Sequence, residues 1–252
     1  MIQSKTELKL KLIPLYQHLK EVCESNEKWS PFLMQWGEDF PTEPNKGIMF
    51  YGRATNGWFG TWDFNVFFSD NHKDRGWNRD DQMVWVENQW YESDDGYVTS
   101  NSQFWSVIRG ISKEFYGEEW YKYVTWSNVC KVAPAAKGNP SDKLYYSTLE
   151  NNQKIIKTEI AHFNPKFVVL FTGGDWSSGG DWSTDFISYL NNEEKLVCLM
   201  EFQWDSSDKE RKCKVYKIED IYYIVTLHPQ GKTIQPHIDG IINLIRQIDK
   251  CI

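Results

Sequence analysis

Two stretches, FVVLFTG at 167–173 and IYYIVTL at 221–227, limit the possible folds more than anything else in the chain. Each is almost continuously apolar and rich in β-branched and aromatic residues. That pattern belongs to strands covered on both faces in a parallel sheet, not to half-exposed strands that alternate. Each run also stops abruptly at a polar, glycine-containing loop. Two earlier stretches behave the same way: IMFY runs into GRATNG at 52–57, and the strand in YKYVTWSNVC ends near Asn128. In open α/β sheets, the loops beyond the carboxyl ends of the strands form the ligand crevice. Loops leaving several such strands therefore imply one shared site.

The segments between these strands carry helical spacing. Residues 142–163 place Leu144, Thr148, Leu149, Ile155, Ile156, Ile160 and Phe163 at three- and four-residue steps, and Asn164-Pro165 ends the pattern. A last helix over about 234–249 presents Ile238, Ile241, Ile242, Leu244, Ile245 and Ile248 on one side. Ser100 or Asn101 caps another, whose face holds Phe104, Trp105, Ile108, Ile111 and Phe115. Asn78 opens a helix in RDDQMVWVENQWYE, and Ser30-Pro31 opens a short one in PFLMQW. Strand–helix alternation predicts one α/β domain over 1–252, a three-layer α/β/α architecture with a central, mainly parallel four-stranded sheet. A helical extension fills about 1–45, and a small antiparallel insertion falls near 195–217. The insertion holds Lys209, Arg211, Lys212, Lys214 and Lys217. Lysines on an edge strand discourage sheet-to-sheet pairing.

Composition narrows the function classes. A formal charge of −7 is the wrong sign for a dedicated non-specific duplex binder, whose affinity comes from neutralising phosphates. The five cysteines, Cys23, Cys130, Cys198, Cys213 and Cys251, are scattered and odd in number. They read as reduced thiols, neither a disulfide framework nor a zinc site. The first residues lack a signal-peptide pattern, and no apolar run approaches membrane-span length. A cytoplasmic protein with no membrane partner is the expectation. Aromatic residues make up 16% of the chain, which suits stacking on planar ligands as well as core building.

The loops supply the candidate chemistry. In GRATNG, Gly52 allows backbone N–H groups to approach a ligand, and Asn56 can hold a water or a base edge. Asn128, at the end of its strand, offers the paired donor and acceptor that a pyrimidine edge requires. His228 leaves its strand directly, and Pro229 keeps it extended, so its imidazole can donate to a developing oxyanion. His237, on the following helix, reads as structural. GGDWSSGGDW at 173–182 matches no phosphate-binding fingerprint, and its two aspartates lack a metal-ligand pattern. It reads as a flexible loop.

In this order, GRATNG, TWSNVCK, FVVLFTGG and LHPQGK resemble the strand-end motifs of the uracil-DNA glycosylase superfamily, over roughly residues 45–245. The resemblance implies base flipping and cleavage of an N-glycosidic bond. His228 would stabilise the departing base, Asn128 would read its edge, and Gly52 and Gln230 would line the site. Trp58, Phe59, Phe67 or Phe68 would stack on the base, and Asn56 or Asp63 would position water. No metal or cofactor is implied. The partner would be DNA, including single strands, or a nucleobase-containing small molecule. The chain departs from the pattern in three places. Loop 52–57 holds no carboxylate, Gln230 stands where the family has Ser after His-Pro, and no adjacent Leu is available as a wedge, Ile234 lying four residues on. The missing carboxylate supports an alternative: a module on the same fold that binds a nucleobase, nucleotide or single strand without hydrolysis. A carbohydrate enzyme would need a pair of acids at the strand ends, and no such pair stands out.

Overall fold

The computed structural model describes residues 5–23, 28–41, 46–58, 60–69, 83–93, 96–173, 182–203 and 212–250. In chain order its elements are helix α1 (Lys5–Val22), strands β1 (Trp29–Pro31), β2 (Gln35–Trp36) and β3 (Ile48–Gly52), and short helices α2 (Phe64–Phe67) and α3 (Trp85–Asn88). Next come α4 (Gln103–Tyr116), β4 (Val124–Asn128), β5 (Val132–Pro134), α5 (Asp142–Phe163), β6 (Phe167–Gly173) and α6 (Trp182–Leu190). The chain closes with β7 (Cys198–Gln203), β8 (Lys212–Ile218), β9 (Ile221–Leu227) and α7 (Ile234–Lys250).

The chain is a mixed α/β structure built on a seven-stranded sheet of order β2-β4-β3-β6-β9-β8-β7. Its middle four strands, β4, β3, β6 and β9, are mutually parallel. They are the four strands that the apolar runs predict, and every residue of β3, β4 and β6 is buried. The sheet is nevertheless larger than the expected four strands. β2 adds antiparallel to β4 at one edge, while β8 and β7 add antiparallel beyond β9 at the other. The segment read as an insertion near 195–217 is therefore a hairpin that continues the main sheet. Its alternate residues Cys213 and Val215 are fully buried and anchor it to the core. PFLMQW is not a helix: Phe32, Leu33 and Met34 are all buried between β1 and β2. Gln35 and Trp36 pair instead with Trp126 and Thr125 of β4, which needs extended backbone.

Successive residues of the parallel strands enter two separate clusters, as the two-residue period of a strand requires. Met49, Tyr51, Val168, Leu170, Tyr223 and Val225 pack with residues of α1, α5 and α6. Ile48, Phe50, Trp126, Val169, Phe171 and Ile224 pack with residues of α4 and α7. α1 belongs to the first cluster through Leu8, Leu12, Tyr16 and Leu19, all fully buried, so the amino-terminal helix is part of the core. The helix boundaries have local causes. Ser141 caps α5 by accepting from Leu144 N–H at 3.3 Å, and Asn164 ends it in the left-handed region at φ 41°. Ser102, not Ser100 or Asn101, caps α4. Among the described residues, no helix is long and apolar enough to cross a membrane.

Candidate functional site

The parallel pairing brings the strand-end residues together. Gly52 and Asn128 are register partners, and Gly173 of β6 pairs with Leu227, the residue before His228. Asn128 is only 2% exposed. A Cβ at position 52 would lie 2.5 Å from Asn128 Oδ1 and 3.2 Å from Phe104 Cε2. Glycine is thus required there because the Asn128 amide and the Phe104 ring close over the strand end. Phe104 in turn stacks parallel to the His228 ring at 5.7 Å and meets Phe171 edge-on at 5.5 Å. Gly52, Asn128, Phe104 and His228 form one continuous group on the α4 side of the sheet.

Asn128 Nδ2 is buried and has no hydrogen-bond partner among the described residues. Leaving a buried donor unsatisfied costs about 1–3 kcal/mol, and such groups in a folded protein require an explanation. Trp126 Nε1, two residues earlier on the same strand face, is also buried without a partner among the described residues. This strand end therefore offers donors that lack acceptors.

His228 is oriented from both sides. Gln230 N–H donates to His228 Nδ1 at 3.2 Å, which places the proton of the neutral ring on Nε2. The turn that supplies this contact closes through Lys232 N–H to Pro229 O at 3.0 Å, with Gly231 at φ 73°. Gln103, the first residue of α4, pins the same turn: its Nε2 donates to Lys232 O at 2.9 Å, and its Oε1 accepts from Gly231 N–H. Arg53 donates from Nη2 to Gly173 O at 3.4 Å, reaching from the end of β3 across that of β6.

Burial, followed by the charges of Arg53 and Lys232, lowers the His228 pKa from 6.5 to about 4. A folded-state pKa below the unfolded value means that protonation opposes the folded arrangement as pH falls. The imidazole is accordingly expected to stay neutral from pH 8 to about 5 and to gain its proton near pH 4. Protonation would also end the Gln230 contact, because Nδ1 could no longer accept. Titration of the His228 ring by NMR checks this, and a midpoint near 6.5 would contradict the geometry.

The remaining predicted residues occupy other positions. Asn56 is exposed, and its Oδ1 accepts from Gly138 N–H at 2.9 Å, tying loop 52–57 to the loop after β5. Asp63 caps α2 by accepting from Asn65 N–H at 2.9 Å. Phe68 is fully buried, with Tyr16, Phe64 and Phe67 against its ring, so its faces are already covered. Phe67 packs in the same group. Trp58 is half-buried and packs against Phe32, Trp85 and Trp126, which keeps it beside the Asn128 strand. Gln230 is exposed and contributes its backbone N–H. Phe59 and most of GGDWSSGGDW, residues 174–181, lie outside the described residues. His237 is buried, with Nε2 2.9 Å from Thr226 Oγ1, in keeping with its structural reading.

Sequence reading did not single out Gln103 and Phe104 for the site, because both sit in an ordinary amphipathic helix start. Only the docking of α4 onto the sheet turns them toward His228. A cavity of about 40 Å³ lined by Ser183, Ile187, Leu196, Tyr216 and Val225 contains none of the strand-end residues. Among the described residues, no group of three or more His, Cys, Asp or Glu is placed to hold a metal ion.

Compared with known proteins, the sequence matches no family model and no curated protein. The functional reading therefore rests on the strand-end geometry and the motifs themselves.

Proposed function

We propose that this chain recognises a uracil-like pyrimidine at its strand ends and hydrolyses the N-glycosidic bond that holds it. The proposed architecture is a three-layer α/β/α domain of the uracil-DNA glycosylase type, with helices covering both faces of the parallel strands. The observation that carries the reading is the buried Asn128 Nδ2, which has no partner among the described residues. An asparagine amide presents a donor beside an acceptor, which matches the carbonyl and adjacent imide N–H of uracil. His228 then supplies a neutral Nε2–H donor. As the bond between the sugar carbon and the base nitrogen breaks, its electron pair moves onto the base, and this donor stabilises the resulting anion. Water completes hydrolysis at the sugar carbon. The substrate class is DNA, including single strands, or a nucleobase-containing small molecule.

Incubation with a uracil-containing single-stranded oligonucleotide is expected to release free uracil. Asn128→Ala should reduce the rate ~10–100-fold, the discrimination carried by one good two-bond edge contact. Absence of both uracil release and thermal stabilisation by uracil or uridine nucleotides would overturn the proposal.

A second reading, binding without hydrolysis, is favoured by one observation. Asn56, the residue of loop 52–57 suited to holding water, has its carbonyl oxygen bonded to Gly138 N–H. Stabilisation by uridine nucleotides with no base release would select this reading.

A further inference from the structure

On the opposite face of the same strand ends lies a buried charged network that the proposed chemistry does not use. Glu159 of α5 and Lys131, just after β4, both have fully buried side chains. Lys131 Nζ donates to Glu159 Oε1 at 2.9 Å, to Oε2 at 2.7 Å and to Ser127 Oγ at 2.5 Å. Ser127 Oγ donates to Glu159 Oε2 at 3.0 Å, and Tyr51 OH donates to the same oxygen at 3.1 Å. Three donor groups therefore converge on one carboxylate through four hydrogen bonds.

The positions of these residues in the chain matter as much as their contacts. Tyr51 immediately precedes Gly52, and Ser127 immediately precedes Asn128; the two are register partners. Strand alternation sends Tyr51 and Ser127 toward α5 while Gly52 and Asn128 face α4. Lys131 lies three residues beyond Asn128, so Ser127 and Lys131 bracket the segment that carries the amide. Lys131 N–H also donates to Asn152 Oδ1 at 3.2 Å, a second anchor to α5. The backbone continues the pairing past the strands: Val129 N–H donates to Gly52 O and Cys130 N–H to Arg53 O, each at 2.9 Å. Among the described residues, Asn128 Nδ2 has no hydrogen-bond partner to aim it. Its direction must come from the backbone, and the backbone is held from beneath. Replacing a buried ion pair with apolar residues of similar size is often neutral or stabilising, so retention of the pair calls for a reason beyond stability.

We infer that Tyr51, Ser127, Lys131 and Glu159 are positioning residues that hold Gly52 and Asn128 in ligand-reading geometry through the strand ends. The inference rests on the base-reading role of Asn128 proposed above. The double variant Lys131→Met/Glu159→Met removes both charges and keeps side-chain volume. It is expected to melt within a few degrees of the parent. It should bind uridine monophosphate at least ~10-fold more weakly and exchange the Val129 and Cys130 amide protons at least ~10-fold faster, with β6 protection unchanged. Parental exchange at these two amides, or faster exchange with parental affinity, would overturn the inference. Should the parent protein bind no uridine monophosphate, the base-reading proposal fails by itself, and amide exchange alone decides the positioning role. Should the double variant not fold, Tyr51→Phe, which deletes one contact to Glu159, is expected to change exchange and affinity in the same direction by a smaller factor. No change in that variant would count against the inference.

Discussion

His228→Ala is expected to slow release of uracil from a single-stranded oligonucleotide by ~10²–10⁴-fold, the range of a positioned proton-donating or charge-stabilising side chain. The loss should fall on the chemical step. Base binding should change far less, because the Asn128 amide and the aromatic surroundings remain. The expectation follows from three facts about the ring. Its Nδ1 is occupied by Gln230 N–H, its face rests on Phe104, and burial with two nearby cations keeps it neutral. A neutral donor suits a leaving base that becomes an anion, since its hydrogen bond strengthens as charge develops. Single-turnover kinetics separates this from a binding defect. An unchanged single-turnover rate in the alanine variant would remove His228 from the mechanism. Gln103→Ala, which frees the His228 turn without touching the ring, provides a graded comparison.

Glu159→Gln is expected to destabilise the fold by roughly 3–5 kcal/mol, the cost of breaking a buried pair and leaving one charge behind. For a chain of this size that corresponds to a fall in Tm of about 6–20 °C. The amide retains one carbonyl oxygen to accept, and its NH₂ group faces Tyr51, Ser127 and Lys131, all of which donate to Glu159 in the parent. Burial already pulls the Lys131 pKa below the ordinary lysine value, against the pull of Glu159 in the other direction. Without the carboxylate only the burial penalty remains. Denaturant or thermal unfolding measures the effect directly. A variant as stable as the parent would mean that the carboxylate does not carry the network. The two predictions read separate properties: His228 reports on chemistry at one face of the strand ends, Glu159 on cohesion at the other.

Much of the architecture was legible because it follows from local periodicity. The continuous apolar runs marked β6 and β9, and three- and four-residue spacing marked α5 and α7 close to their observed ends. The strand-to-loop breaks pointed to Gly52, Asn128 and His228, which the sheet brings to one edge. Other features left no local trace. β2 is two residues long, too short to show any period, and it was hidden in a segment read as helix. The β7–β8 hairpin was visible as strands, but its pairing with β9 depends on which strand edge is open. Phe68 looked like a stacking candidate by its place near the first loop, yet packing against Tyr16 of α1 buries it completely.

The sequence alone determined the parallel core strands, the long helices between them and the residue types at the strand ends. All are properties of short segments whose side-chain pattern responds to burial. Tertiary structure alone decided that Phe104 and Gln103 meet the His228 turn, and that Asn128 Nδ2 is left without a partner among the described residues. It also decided that Lys131 finds Glu159 twenty-eight positions away beneath the sheet. Contacts of this kind depend on strand order and helix docking, which follow from how the whole core closes. A residue's own neighbours in the chain carry no record of them.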